Sequence, residues 1–64
     1  MEYMYVLTTE YDGELYNTHR IADFTDAAQV WSSCNDSGNA KTYARYTMTD
    51  PTGSSYTKSF YAKS

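Results

Sequence analysis

The sequence predicts an α+β fold of element order ββαββ, a four-stranded antiparallel sheet with one helix packed on one face. Three features predict it. Asp12-Gly13 separates two runs rich in Tyr, Val and Thr, and Asp50-Pro51-Thr52-Gly53 separates two more, which is hairpin composition with hairpin turn chemistry. Between the hairpins, Phe24, Ala27, Ala28, Trp31 and Cys34 recur at spacings of three and four, the apolar stripe of a surface helix. Residues 1–64 read as a single domain.

The first hairpin joins Met4–Glu10 to Glu14–Ile21. Asp and Gly tolerate the positive φ angles of a type I′ turn, so a two-residue loop sets the register. Tyr11 then opposes Glu14, Leu7 opposes Thr18, Tyr5 opposes Arg20, and Met4 opposes Ile21. Asp23 is the expected N-cap of the helix, with Asp26 adding favourable negative charge in the first turn; Thr25 is the alternative cap. Val30 widens the apolar stripe. The run 35–39, Asn-Asp-Ser-Gly-Asn, should end the helix, with Gly38 free to turn left-handed. In the second hairpin the three-residue loop after Asp50, a type I turn with a following Gly bulge, pairs Met48 with Tyr56, Tyr46 with Lys58, and Ala44 with Phe60. Its core face is Ala44, Tyr46, Met48, Tyr56, Phe60 and Ala62. Short connections favour the spatial order 2-1-3-4.

For the first hairpin the core face is expected to be the aliphatic one, Met4, Val6, Thr8, Leu15, Asn17, His19 and Ile21. Ile21 stands two residues before the Asp23 cap and should point toward the helix. The opposite, open face would then carry Tyr3, Tyr5, Leu7, Tyr16 and Arg20, continued by Tyr43, Arg45 and Tyr61 from the second hairpin. Tyr and Arg dominate binding hot spots because they combine rigid area with directed hydrogen bonds. These eight residues are therefore the expected partner-binding set. A purely structural reading also holds, in which cross-strand tyrosines stiffen and shield a thin sheet.

Composition narrows the function further. Leu, Ile, Val and Phe together number seven, but aromatics make up 17 % of the chain, eight of them Tyr, and the net charge is only −3. Each buried ring supplies roughly 150–250 Å², so a small aromatic core replaces an aliphatic one. A chain of this size hides only about 60 % of its unfolded surface and is marginally stable. No apolar run is long enough to span a membrane, and Met1–Glu10 lacks a basic region followed by an apolar stretch. Cys34 is the single cysteine, so neither an internal disulfide nor a cysteine-rich zinc site is available. A reducing, cytoplasmic setting, in the source cell or an infected host, is expected. Net acidity argues against duplex DNA and anionic membranes as partners. Aromatic sheet faces do stack single-stranded bases, but Glu2, Glu10, Asp12 and Glu14 oppose that here.

Candidate chemistry is sparse. His19 is the sole imidazole and is expected to be structural. Cys34 lies near the helix C-terminus, where the dipole disfavours a thiolate, and reads as buried and inert. Glu10, Asp12 and Glu14 cluster at the first turn without the alternating ligands, Gly and closing Glu of a calcium loop. Asn35-Asp36-Ser37 matches a glycosylation sequon but reads as a loop tripeptide. No phosphate loop, nucleophile elbow or paired metal-type histidines occur. The expectation is a non-enzyme without catalytic residues, metal or cofactor.

A strand pair around Asp12-Gly13, then Ile21-Ala22-Asp23-Phe24-Thr25-Asp26-Ala27-Ala28 leading into a helix with Trp31, resembles the architecture of small accessory proteins of tailed phages. Among these are host-takeover factors, including inhibitors of host RNA polymerase, in which a hairpin precedes a similar helix. The second hairpin goes beyond the one-strand ending of such inhibitors, and no functional residue carries over. The resemblance implies a stand-alone binder, here a modulator of a host protein. The companion reading is a structural homodimer formed through the same tyrosines, and the third is weak single-strand binding.

Overall fold

Asp12 and Gly13 turn the first hairpin with φ of 55° and 87°, the paired positive values of a type I′ turn. They join β1 (Tyr5–Tyr11) to β2 (Glu14–Ile21). The helix α1 (Phe24–Ser33) follows, then β3 (Tyr43–Thr49) and β4 (Ser55–Tyr61). The computed structural model describes residues 4–63. The four strands form one antiparallel sheet in the order β2-β1-β3-β4, as loop economy predicts.

Local chemistry sets most boundaries. Asp23 caps α1, its carboxylate accepting from the Asp26 N–H at 3.2 Å. At the other end the Cys34 N–H donates to Trp31 O and closes the last turn. The helix therefore stops before Gly38, whose positive φ of 58° serves instead a tight turn at 37–40 in the crossover loop. A Cβ at Gly38 would also lie 2.7 Å from the Tyr11 hydroxyl, so a side chain there would push that ring aside. The β3–β4 register matches expectation, with Met48↔Tyr56, Tyr46↔Lys58 and Ala44↔Phe60, and Gly53 takes φ of 94° in the bulged turn.

The first hairpin departs from expectation. Tyr11 does oppose Glu14, but the register slips between Thr9 and Glu10: Thr9 opposes Asn17, Glu10 opposes Leu15, and Tyr16 is the extra residue on β2. Beyond this bulge Tyr5 opposes Ile21, Val6 opposes Arg20, and Leu7 opposes His19. One added residue reverses the faces of everything past it, because strand side chains alternate with period two. Ile21 does point into the core, but it brings Tyr5, Leu7 and Thr9 with it rather than Met4, Val6 and Thr8. Leu7 is 5 % exposed and packs with Ile21, Ala27, Cys34, Ala44, Tyr46 and Met48. Met4 and Leu15 are exposed. His19 shares the core-side face but sits exposed on the edge strand.

Asp12 ties the hairpin to the second half of the chain. Its carboxylate accepts from the backbone N–H groups of Lys41, Thr42 and Tyr43 at 2.8, 2.5 and 2.8 Å, and its own N–H donates to Tyr43 O at 2.8 Å. Those bonds, led by the one from Lys41, lower the Asp12 pKa below the usual carboxylate value. A lowered folded-state pKa means stability that is complete above the unfolded value of about 3.9 and is lost as pH falls through the folded one. Urea midpoints should therefore fall as pH drops below about 4. Asp12→Asn, which keeps the tolerance for positive φ but leaves one acceptor oxygen without charge, should lower the midpoint at pH 7 and flatten the acid limb.

Candidate functional site

The helix-free face of the sheet is built from rows that cross all four strands. Thr18, Thr8, Thr47 and Thr57 face one another in one row, and Arg20, Val6, Thr49 and Ser55 in the next. A third holds Leu15, Glu10, Arg45 and Ser59. Arg45 forms an ion pair with its cross-strand neighbour Glu10, which raises the guanidinium pKa and engages its charge locally. At one end Tyr43 and Tyr61 pack at 6.1 Å between ring centroids. This is the alternating polar surface an antiparallel sheet normally shows to water.

Four of the eight predicted contact residues, Arg20, Tyr43, Arg45 and Tyr61, do lie on this face. Tyr5 and Leu7 do not: the β2 bulge turns both toward the helix, where Leu7 is core and Tyr5 packs on Phe24 at 6.1 Å. Tyr16, at the bulge, stacks on Tyr11 at 4.8 Å, and Tyr11 itself packs against the core. Tyr3 falls outside the described residues. The expected tyrosine-lined open face is thus reduced to the Tyr43–Tyr61 pair at one end, with threonine and serine hydroxyls and the Glu10–Arg45 ion pair across the rest.

Beside Tyr61 at one end of the open face and Tyr16 at the bulge, the other exposed rings, Phe24 and Tyr56, lie on the helix side of the sheet. α1 starts beside Tyr5 and crosses the sheet toward β4, so ten residues of helix cannot cover every ring on that face. Tyr5, Phe24, Ala27, Ala28, Trp31, Met48 and Tyr56 line a groove of ≈ 390 Å³ between the helix and the β3–β4 turn, with Ser32 and Asp50 as its polar members. A second hollow of ≈ 410 Å³ shares Tyr5, Phe24 and Asp50 and extends it to Pro51 and Thr52. Phe24 is 67 % exposed and Tyr56 52 %. Asp50 accepts from the Thr52 hydroxyl at 2.6 Å, from the Thr52 and Ser54 N–H groups, and from the Tyr56 hydroxyl at 3.3 Å. These bonds, the Thr52 hydroxyl first, lower its pKa. It stays ionised at neutral pH, and among the described residues its Oδ2 carries only the long Tyr56 bond.

Lys58 closes the C-terminal end of α1. Its ammonium donates to Trp31 O at 2.7 Å and Cys34 O at 3.4 Å and lies 4.6 Å from the centre of the Trp31 ring. α1 has no basic residue in its last turn, so a strand lysine supplies the cation that exposed C-terminal carbonyls favour. Sequence reasoning assigned Phe24, Trp31 and Tyr56 to the core. The overlooked signals were a lysine inside an apolar strand face and more aromatic surface than a short helix can hide.

The remaining chemical candidates are occupied or scattered. Cys34 is buried, its thiol donating to Val30 O at 3.3 Å, and burial raises its pKa. Glu10 serves Arg45 and Asp12 serves the backbone. Among the described residues no group of three or more His, Cys, Asp or Glu side chains converges on a point, and no helix is long and apolar enough to cross a membrane. The chain matches no protein-family model, and comparison with curated proteins and with solved structures yields no significant match to either.

Replacing Lys58 with Met keeps the aliphatic stem but removes the short bond to Trp31 O, of a charge-assisted class worth about 1.5–3 kcal/mol, and the long, weak one to Cys34 O. Denaturant titration should show Lys58→Met less stable by about 1–3 kcal/mol, with Trp31 emission altered in the native baseline.

Proposed function

We propose that this chain is a small non-enzymatic protein-binding module, a modulator of a partner protein in the manner of phage accessory factors, working in a cytoplasmic setting. Its contact site is the aromatic groove between α1 and the β3–β4 turn. The occupant is a partner segment presenting an apolar side chain next to Lys or Arg. One observation carries this reading: two large rings, Phe24 and Tyr56, stand more than half exposed beside half-buried Tyr5 and Trp31, with the ionised Asp50 at the groove's edge. Exposed rings beside a fixed charge are the composition of an interface hot spot. The anionic edge selects a cationic neighbour to the apolar anchor and opposes phosphate, so a protein segment is favoured over single-stranded nucleic acid.

Acetyl-Ala-Leu-Arg-Ala-amide and its Leu-Glu counterpart test both halves of this reading. Titrated at millimolar levels, the Arg peptide should shift amide resonances of Phe24–Trp31 and Met48–Asp50, and the Glu peptide should not. Phe24→Ser with Tyr56→Ser, both at exposed positions, should leave the fold intact and weaken the response at least tenfold. Asp50→Asn should erase the preference for Arg. Equal responses to the two peptides, or shifts confined to the threonine row, would overturn the assignment.

A further inference from the structure

The two edges of the sheet are built differently. β2 is interrupted by the bulge at Tyr16 and bears Glu14 and Arg20, features that discourage strand addition. β4 runs seven residues, Ser-Tyr-Thr-Lys-Ser-Phe-Tyr, with no proline and an unbroken register against β3. Its outward backbone groups can be identified from the ladder. Asp50 N–H donates to Ser54 O and Ala62 N–H to Thr42 O, so even-numbered residues of β4 bond to β3. Alternation then directs the N–H and C=O groups of Ser55, Thr57, Ser59 and Tyr61 away from the sheet. Among the described residues no strand covers them.

From this edge we infer that β4 pairs antiparallel with β4 of a second copy, joining two sheets into one of eight strands. The occupant is a second copy because the strand is complementary to itself. Only a two-fold axis at Lys58 engages all four outward residues, placing Ser55 against the partner's Tyr61 and Thr57 against the partner's Ser59. About eight hydrogen bonds form, two per facing pair. On the helix side Tyr56 meets the partner's Phe60 in the closer, non-hydrogen-bonded pairs, where aromatic contacts are favourable. The one like-charge encounter is Lys58 against the partner's Lys58. It is relieved in advance, since each ammonium is drawn onto the carbonyls of its own helix. Edge pairing of this length buries less than the roughly 1,000 Å² of a stable interface, so the dimer is weak and concentration-dependent. The two grooves end on one face. This inference does not rest on the groove's occupant; because Tyr56 belongs to both surfaces, its test varies only Thr57 and Ser59, which do not line the groove.

Sedimentation equilibrium from about 10 μM to about 1 mM, a span chosen for an interface at the weak end of the size range, should show mass rising from 7.3 kDa toward twice that value. Thr57→Pro removes an N–H that β3 does not use and should leave a folded monomer. Where that variant fails to fold, a charge pair decides. Thr57→Glu with Ser59→Glu places acids against acids and should weaken association at least tenfold, whereas Thr57→Lys with Ser59→Glu places opposite charges together and should restore it. A wild-type chain that stays monomeric at 1 mM, the top of that range, overturns the inference. Equal association of the two charge variants also overturns it.

Discussion

The carboxylate of Asp12 is the interaction on which the arrangement of the sheet depends. A type I′ turn could be made by many Asn-Gly or Asp-Gly pairs. Here the turn residue also gathers three consecutive backbone N–H groups from the end of the crossover loop. Those donors sit at the entry to β3, so the same residue that reverses β1 into β2 delivers β3 to the free side of β1. Buried or crowded backbone donors must find acceptors, and an ionised carboxylate is a strong one. Around this clamp the loop packs inward. Tyr46 donates to Asp36 O at 3.2 Å, and Gly38 lies close against the Tyr11 hydroxyl.

Asp12 holds the strands together, but the bulge at Tyr16 decides what they present. Without the extra residue, Val6 and Thr8 would face the helix and a row of tyrosines would face water. With it, Leu7 joins Ile21, Ala44 and Met48 beneath the helix, and the open face becomes hydroxyls with the Glu10–Arg45 pair and, at one end, Tyr43 against Tyr61. The aromatic surface is moved rather than lost. It collects where the short helix leaves the sheet uncovered, around Phe24, Trp31 and Tyr56, and Asp50 adds a fixed negative charge there. Lys58 serves both stability and surface, closing the helix end from below while keeping its charge away from the sheet edge.

Much of this molecule was legible in the residues themselves. The turns at Asp12-Gly13 and Asp50–Gly53, the Asp23 cap, the register of the second hairpin and the strand order all follow from local rules. Each depends on neighbours within a few residues, or on connections too short to permit another path. The helix stripe was legible in part: Ala27 and Cys34 are buried as its spacing requires, whereas Phe24 and Ala28 of the same stripe are exposed. The candidate site was legible only in part. Arg20, Tyr43, Arg45 and Tyr61 stand on the face expected of them, while Tyr5 and Leu7 stand on the other.

The sequence by itself determined the elements, their order and the ring-rich character of a chain poor in aliphatic side chains. Tertiary structure alone decided which rings face water. The bulge has no local signature: Tyr16 leaves the ladder and rests on Tyr11, and the register beyond it puts Leu7 rather than Val6 in the core. The groove has none either, because it is the difference between the area of a sheet face and the area a ten-residue helix can cover. Both are properties of surfaces brought together from distant parts of the chain, and no window of sequence contains them.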